Sequence, residues 1–195
     1  HYALPTADGE GVVEVGNTPR REPGPDGTFM SYDLPWANAS NTPFRKFKSW
    51  THEGGIATPL LVHWPAGMQG GRICHSVGHI IDLMPTILDA AEAEYPVTFN
   101  GQDIQPMEGE SLLDAVTGND AWQRTTPLFW EHIGCKAARD GDWKIVQPRE
   151  AEGDTWELYD MASDRTELHD RSAEHPDVRD RLARAWRQWA GRVGV

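Results

Sequence analysis

Three patterns in the sequence predict an α/β fold that ends in a small antiparallel sheet packed on one helix. The first is the run Thr58-Pro59-Leu60-Leu61-Val62-His63-Trp64, stopped by Pro65 and Gly67. Its length and its branched or aromatic side chains suit a buried strand. The second is the segment that follows. Ile80, Leu83, Met84, Ile87, Leu88 and Ala91 fall at the i, i+3, i+4 spacing of an amphipathic helix. A strand, loop and helix in that order is what α/β layers produce. The third is a change of pattern after Asn119, where short apolar runs alternate with turn residues and a long helical stripe closes the chain.

Residues 1–43 read mostly as loop. Pro19, Pro23, Gly24, Pro25 and Gly27 interrupt a charged stretch, and only Val12-Val13-Glu14-Val15 suggests a strand. Residues 44–119 form the α/β part. Asp82 is placed as the cap of its helix, with Pro85 in the first turn, where a missing N–H costs nothing. A loop over residues 101–109 and a short helix over 110–116 follow. Residues 120–195 form the small subdomain. Strands are expected over 127–131, 136–139, 143–146 and 156–160, with Asp140-Gly141-Asp142 turning the central hairpin. The last helix begins after Pro176. Val178, Leu182, Trp186, Trp189 and Val193 make one apolar stripe along it, and Asp177 and Asp180 precede most of its Arg residues, as the helix dipole favours.

The 195-residue chain has 30 Asp+Glu against 18 Lys+Arg, a formal charge of −12. A phosphate-neutralising surface is not expected, which argues against a nucleic-acid partner. An anion would need a local cationic pocket. No apolar run approaches the roughly 18 residues of a membrane span. Cys74 and Cys135 leave one disulfide or none open. The first residues show no signal peptide, and a chain that does not start with Met is expected to be a processed or trimmed piece. Compartment stays open, with secretion or a periplasmic location requiring an upstream signal.

Chemistry concentrates in Phe44-Arg45-Lys46-Phe47-Lys48-Ser49-Trp50-Thr51-His52-Glu53-Gly54-Gly55-Ile56. Three cations precede a His-Glu pair and a Gly pair that allows positive φ or close backbone approach. Such a loop, set beside a buried strand, can present Lys48 to an anion. On spacing alone, two solvated lysines and an ordinary Gly-Gly turn remain the competing reading.

The stretch resembles the second signature of the sulfatase family: a lysine, four residues, Glu-Gly-Gly, then a strand ending in Trp-Pro. Here these are Lys48, Glu53-Gly54-Gly55 and Trp64-Pro65. Further matches follow in family order. They are His79 to Thr86, Gly101-Gln102-Asp103, Gly109-Glu110-Ser111-Leu112, Arg139-Asp140-Gly141-Asp142-Trp143-Lys144, and Trp156 to Asp160 with Glu167-Leu168. The resemblance covers about residues 36 to 192. It implies the latter part of an alkaline-phosphatase-like sulfatase domain.

The resemblance also implies hydrolysis of sulfate esters by a formylglycine made from a Cys or Ser in a Cys/Ser-x-Pro-x-Arg motif. Calcium held by Asp and Asn side chains is the implied cofactor. Lys48 would contact the sulfate and the leaving-group oxygen, a fitting task for an ammonium point charge. His52, four residues on, could reach the substrate. Trp36, Asn38 and Asn41, just before the lysine, could line its pocket. The chain departs from the family in having no Cys/Ser-x-Pro-x-Arg motif. Cys135-Lys136-Ala137-Ala138-Arg139 has Ala where Pro belongs. No residue matches a family metal ligand, so none is assigned to metal.

The expectation is a sulfatase piece, inactive alone, that pairs with the missing N-terminal part or with itself. A non-catalytic binding module and a phosphoester- or phosphonate-cleaving relative stay open. Among other features, His75-x-x-x-His79 has metal-pair spacing on a helix, but no third ligand is evident, and capping or surface polar roles are expected instead. His175-Pro176 marks a helix start, Trp186 and Trp189 are assigned to the core, and Asn38-Ala39-Ser40 matches a glycosylation sequon.

Overall fold

The computed structural model describes residues 5–22, 24–31 and 33–195. Near the start, β1 (Glu14–Val15) pairs in parallel with β2 (Thr28–Phe29). The strand expected over 12–15 is thus only two residues long, and its partner arises in a stretch read as loop. The same stretch contains a helix, α1 (Leu34–Ser40). Asp33 caps it by accepting from the Leu34 N–H, and Pro35 sits in its first turn. One helical turn, α2 (Glu53–Ile56), follows.

Residues 58–64 are not a strand. They have strand composition, but among the described residues no neighbouring strand supplies a ladder, and Leu60, Leu61 and Val62 are exposed. The expected amphipathic helix is a 3-10 turn at Ile80–Asp82 continued by α3 (Leu83–Ala90). Its apolar stripe faces outward: Ile80, Met84 and Ile87 are all more than half exposed. The inward side carries Asp82 and Pro85 instead. Asp82 does not cap α3 with its side chain. It accepts from the backbone N–H groups of His79 (2.7 Å) and Glu110 (2.9 Å) and pairs with Arg124. A short hairpin forms from β3 (Thr98–Phe99) and β4 (Gln102–Asp103), and β4 falls in the stretch expected to be loop. The helix expected over 110–116 is α4 (Leu113–Thr117).

The C-terminal sheet forms in the order β5 (Leu128–His132), β6 (Cys135–Asp140), β7 (Trp143–Gln147) and β8 (Glu157–Asp160), all antiparallel. Asp140 pairs with Trp143, so the hairpin loop has two residues, and Gly141 takes φ +58 as the tight turn needs. Helix α5 (Pro176–Val193) begins with Pro176 and ends at Gly194 in the left-handed region. Ala138, Ile145 and Leu158, on one face of the sheet, pack with Leu182, Ala183 and Trp186 of α5. The Trp186 Nε1–H donates to the Trp130 carbonyl at 2.9 Å.

The alternation of the strands puts Ala137, Lys144, Val146, Glu157 and Tyr159 on the opposite face. A sheet packed on one helix would leave that face wet. Here it is buried, and part of what covers it is the lysine-bearing segment 44–56.

Candidate functional site

The segment 44–56 has little regular structure of its own. Lys46 and Ser49 sit at φ +66 and +82, and only the α2 turn is helical. The Gly pair is required by close approach, and neither glycine has positive φ. A Cβ at Gly54 would lie 2.2 Å from the Arg45 carbonyl oxygen, and one at Gly55 would lie 2.1 Å from that of Trp50. The Gly54 N–H donates to Arg45 O at 3.0 Å. The two glycines therefore let α2 press directly onto the backbone that carries Lys48.

Contacts to the C-terminal sheet fix both ends of the segment. Lys144, fully buried on β7, donates from Nζ to Glu53 Oε1 and Glu167 Oε1, each at 2.7 Å. The other Glu167 oxygen accepts the Glu53 N–H at 2.8 Å. At the near end, Arg45 donates to the Glu167 carbonyl (2.5 Å) and the Tyr159 hydroxyl (3.2 Å). Thr51 Oγ1 donates to Lys136 O at 3.0 Å, and Arg149 donates to Ser49 O at 2.6 Å.

His52 is buried, contrary to the usual expectation for a loop histidine. Its Nε2 donates to Glu157 Oε2 at 3.1 Å, and its buried Nδ1 has no hydrogen-bond partner among the described residues. The same carboxylate accepts from the Tyr159 hydroxyl at 2.8 Å. Burial pushes the Glu157 carboxyl up, but the hydrogen bonds from His52 and Tyr159 outweigh it and hold the group below the ordinary glutamate value. Burial, and then the neighbouring Glu157, push the Tyr159 phenol up. The substrate contact expected of His52 does not match this placement, because the ring is packed beneath the segment and bonded to the sheet.

The three cations of the segment have different surroundings. Arg45 is committed to Glu167 and Tyr159. Lys46 lies over the Trp50 ring, with Nζ 4.1 Å from its centroid. Lys48 is exposed and, among the described residues, makes no hydrogen bond or ion pair. It lines a cleft of about 750 Å³ together with Asn41, Phe47, Gly54 and Gly55.

Asn41 is held there by its amide, which donates to Ala37 O at 2.9 Å. The structure thus brings Lys48 and Asn41 together and separates the other expected lining residues. Trp36 lies on a different cleft, with Asp33, Asn17 and Met30, and is 68% exposed. Asn38 lines neither cleft; its amide bonds back to Leu34 O at 3.1 Å.

Sequence reasoning missed Lys144, Glu167, Arg45, Glu157 and Tyr159 as parts of this arrangement. The signal that could have found them was the alternation of β7 and β8, which puts Lys144, Glu157 and Tyr159 on the face away from α5.

No three His, Cys, Asp or Glu side chains among the described residues converge on a point that could hold a metal ion. His75 and His79 are not on a helix; His79 instead accepts the Ile81 N–H. Cys74 and Cys135 are both free thiols.

With this geometry in place, comparison with known proteins is decisive. The family described as N-sulphoglucosamine sulphohydrolase, C-terminal, matches residues 44–189. This chain belongs to that family and is the C-terminal portion of a sulfatase. An uncharacterized sulfatase of Schizosaccharomyces pombe is 30% identical over 171 residues, covering 86% of this chain and 31% of its own length. The arylsulfatase of Klebsiella aerogenes is 32% identical over 90 residues, 46% of this chain and 19% of its own. The N-acetylgalactosamine-6-sulfatase of Canis lupus familiaris is 33% identical over 96 residues, 49% and 17% respectively. Among solved structures, "Crystal structure of Ps i-CgsB" superposes on 76% of this chain and 32% of its own with a TM-score of 0.62 at 24% identity, a likeness of fold. The sulfatase chain thus spans about a third or less of the length of these relatives. Among the described residues, no helix is long and apolar enough to cross a membrane.

Proposed function

We propose that this chain supplies the sulfate-binding lysine of a sulfate-ester hydrolase whose nucleophile and metal site lie on the remaining two thirds of a sulfatase. One observation carries the reading. Lys48 is the single cation of its segment with no partner among the described residues, and it lines a cleft of about 750 Å³. An ammonium in such a place holds a sulfate and stabilises the charge that grows on the leaving oxygen as the S–O bond breaks. Asn41 lines the same cleft, with its amide hydrogens given to Ala37 O and Lys46 O. Alone, the chain lacks an attacking group and is inactive.

The expected partner is the rest of the sulfatase domain. Ile80, Met84 and Ile87 on one side of α3, and Leu60 and Leu61 in the extended stretch, leave apolar surface of the kind a domain core covers. Self-association of the isolated chain uses the same surface.

The test joins this chain to the rest of a sulfatase and compares Lys48→Ala with the parent protein on 4-nitrophenyl sulfate and 4-nitrophenyl phosphate. A loss of about 100-fold or more in kcat/KM on the sulfate ester is expected. Near-parental turnover by the variant would remove Lys48 from the site, and faster cleavage of the phosphate ester by the parent would move the family reaction to phosphoryl chemistry.

A further inference from the structure

We propose that Lys144 and Glu167 of the C-terminal subdomain are positioning residues for the Lys48 segment, so that this subdomain sets the geometry of the anion site without touching the anion. The inference rests on the role proposed for Lys48 and extends it to residues 96 and 119 positions further along the chain.

Residues 44–52 contain no helix or strand, and two of them, Lys46 and Ser49, hold positive φ. Such backbone conformations persist only when surroundings over-determine them. Among these surroundings, one residue holds both ends of the segment. Glu167 binds the near end through its carbonyl, which accepts from Arg45, and the far end through its carboxylate, which accepts the Glu53 N–H. Lys144 then ties Glu53 and Glu167 together. Lys48 lies between the two clamped ends, three residues after Arg45 and five before Glu53.

Two further observations favour positioning over simple cohesion. Glu167 is itself held at φ +57, a strained state for a non-glycine residue, while fully buried. A turn serving only to connect β8 with α5 could use glycine there. The ion group is also an expensive choice for stability alone, since apolar side chains of similar volume often serve as well or better. What the ions add is direction: each bond fixes one atom of the segment to one atom of the sheet.

The experiment is a double-mutant cycle in the protein that joins this chain to the rest of a sulfatase, with 4-nitrophenyl sulfate as substrate. Lys144→Met is expected to lower kcat/KM at least tenfold, about the effect of an ångström-scale displacement of a catalytic group. In a Lys48→Ala background the same change is expected to cost less than about threefold, because the group being positioned is gone. Equal costs in both backgrounds would overturn the positioning role while leaving Lys48 as the sulfate ligand. A Lys48→Ala variant with parental activity would overturn the ligand role itself, so the two failures are distinct.

If Lys144→Met does not fold, Glu53→Gln replaces it under the same criterion, since it keeps the shape and the backbone clamp while removing one charge. Amide exchange gives an activity-free check on the 195-residue chain. Protection of the Gly54 N–H, which donates to Arg45 O, is expected to fall at least tenfold more than that of the Ile145 N–H. A parallel fall at both positions would indicate global loosening and count against the proposal.

Discussion

Removing the Lys144 ammonium gives the sharpest stability test of the structure. Lys144 is fully buried, Glu167 is fully buried, and the Glu53 side chain is 6% exposed. In Lys144→Met the methionine fills much of the stem volume, but two carboxylates lose the cation they share. Uncompensated buried charge of this kind costs about 3–5 kcal/mol. Arg165 and Arg139 limit the loss without cancelling it. The Arg165 guanidinium reaches only to 3.8 Å of Glu53 and is half exposed, and burial lowers the Arg139 pKa even though Glu53 raises it. At about 2–4 °C per kcal/mol for a chain of this size, the midpoint should drop by roughly 6–20 °C. Urea titration followed by tryptophan fluorescence reads the change, with Lys48→Met as a control expected to stay within about 0.5 kcal/mol. The triple change Lys144→Met, Glu53→Gln and Glu167→Gln should recover most of the loss, because neutral amides need no counter-ion. A single variant within 1 kcal/mol of the parent, or a triple variant no better than the single, would show that the buried ions are not what holds the segment to the sheet.

Two other sites make independent predictions. Glu110 accepts hydrogen bonds from the backbone and hydroxyls of Thr125 and Thr126, which outweigh the upward push of burial and lower its carboxyl pKa to about 2. A depressed folded-state pKa contributes stability above the unfolded value that is lost as pH falls through the folded one. Glu110→Gln should therefore cost about 2–3 kcal/mol at pH 7 and roughly half as much at pH 3 in matched urea titrations, and a difference independent of pH would refute the assignment. Gly54→Ala forces its Cβ against two backbone carbonyls, at 2.2 and 2.4 Å, neither of which can rotate away as a flexible side chain would. The expected outcome is a loss above about 2 kcal/mol with Gly54 N–H exchange accelerated, and a neutral substitution would mean that the segment is not packed as described.

The parts of the fold that the sequence made legible are those fixed by local periodicity. The hairpin around Gly141, the strand ending at Asp160 and the α5 stripe follow from alternation, turn chemistry and 3.6-residue spacing, and each formed about where expected. Residues 58–64 failed for a reason that periodicity cannot contain. Strand composition does not supply a neighbouring strand, and none of the described residues does so. The α3 segment shows the same limit in a helix: spacing located the apolar stripe correctly but could not say that it would face outward. Helix α1 was hidden by its composition, since Leu34-Pro35-Trp36-Ala37-Asn38-Ala39-Ser40 has no apolar stripe and is held by its Asp33 cap. Lys48 lies within a short span of sequence that can be read directly, whereas Lys144 and Glu167, which tie down its segment, are about a hundred residues further along.

That separation bears on what the signature Glu53-Gly54-Gly55 is for. A substrate-facing reading would put its carboxylate in the cleft. The structure instead turns Glu53 inward to Lys144 and lets the two glycines line the cleft beside Lys48. Each element then has a distinct mechanical task. The glycines permit contact with the Arg45 and Trp50 carbonyls, the glutamate anchors the turn to β7, and the lysine stays exposed without a partner among the described residues. An exposed glutamate beside Lys48 would neutralise the cation and repel a sulfate at a few ångströms. Burying that charge against Lys144 keeps the carboxylate away from Lys48, the one charged side chain that lines the cleft, and ties the loop to the sheet in one step.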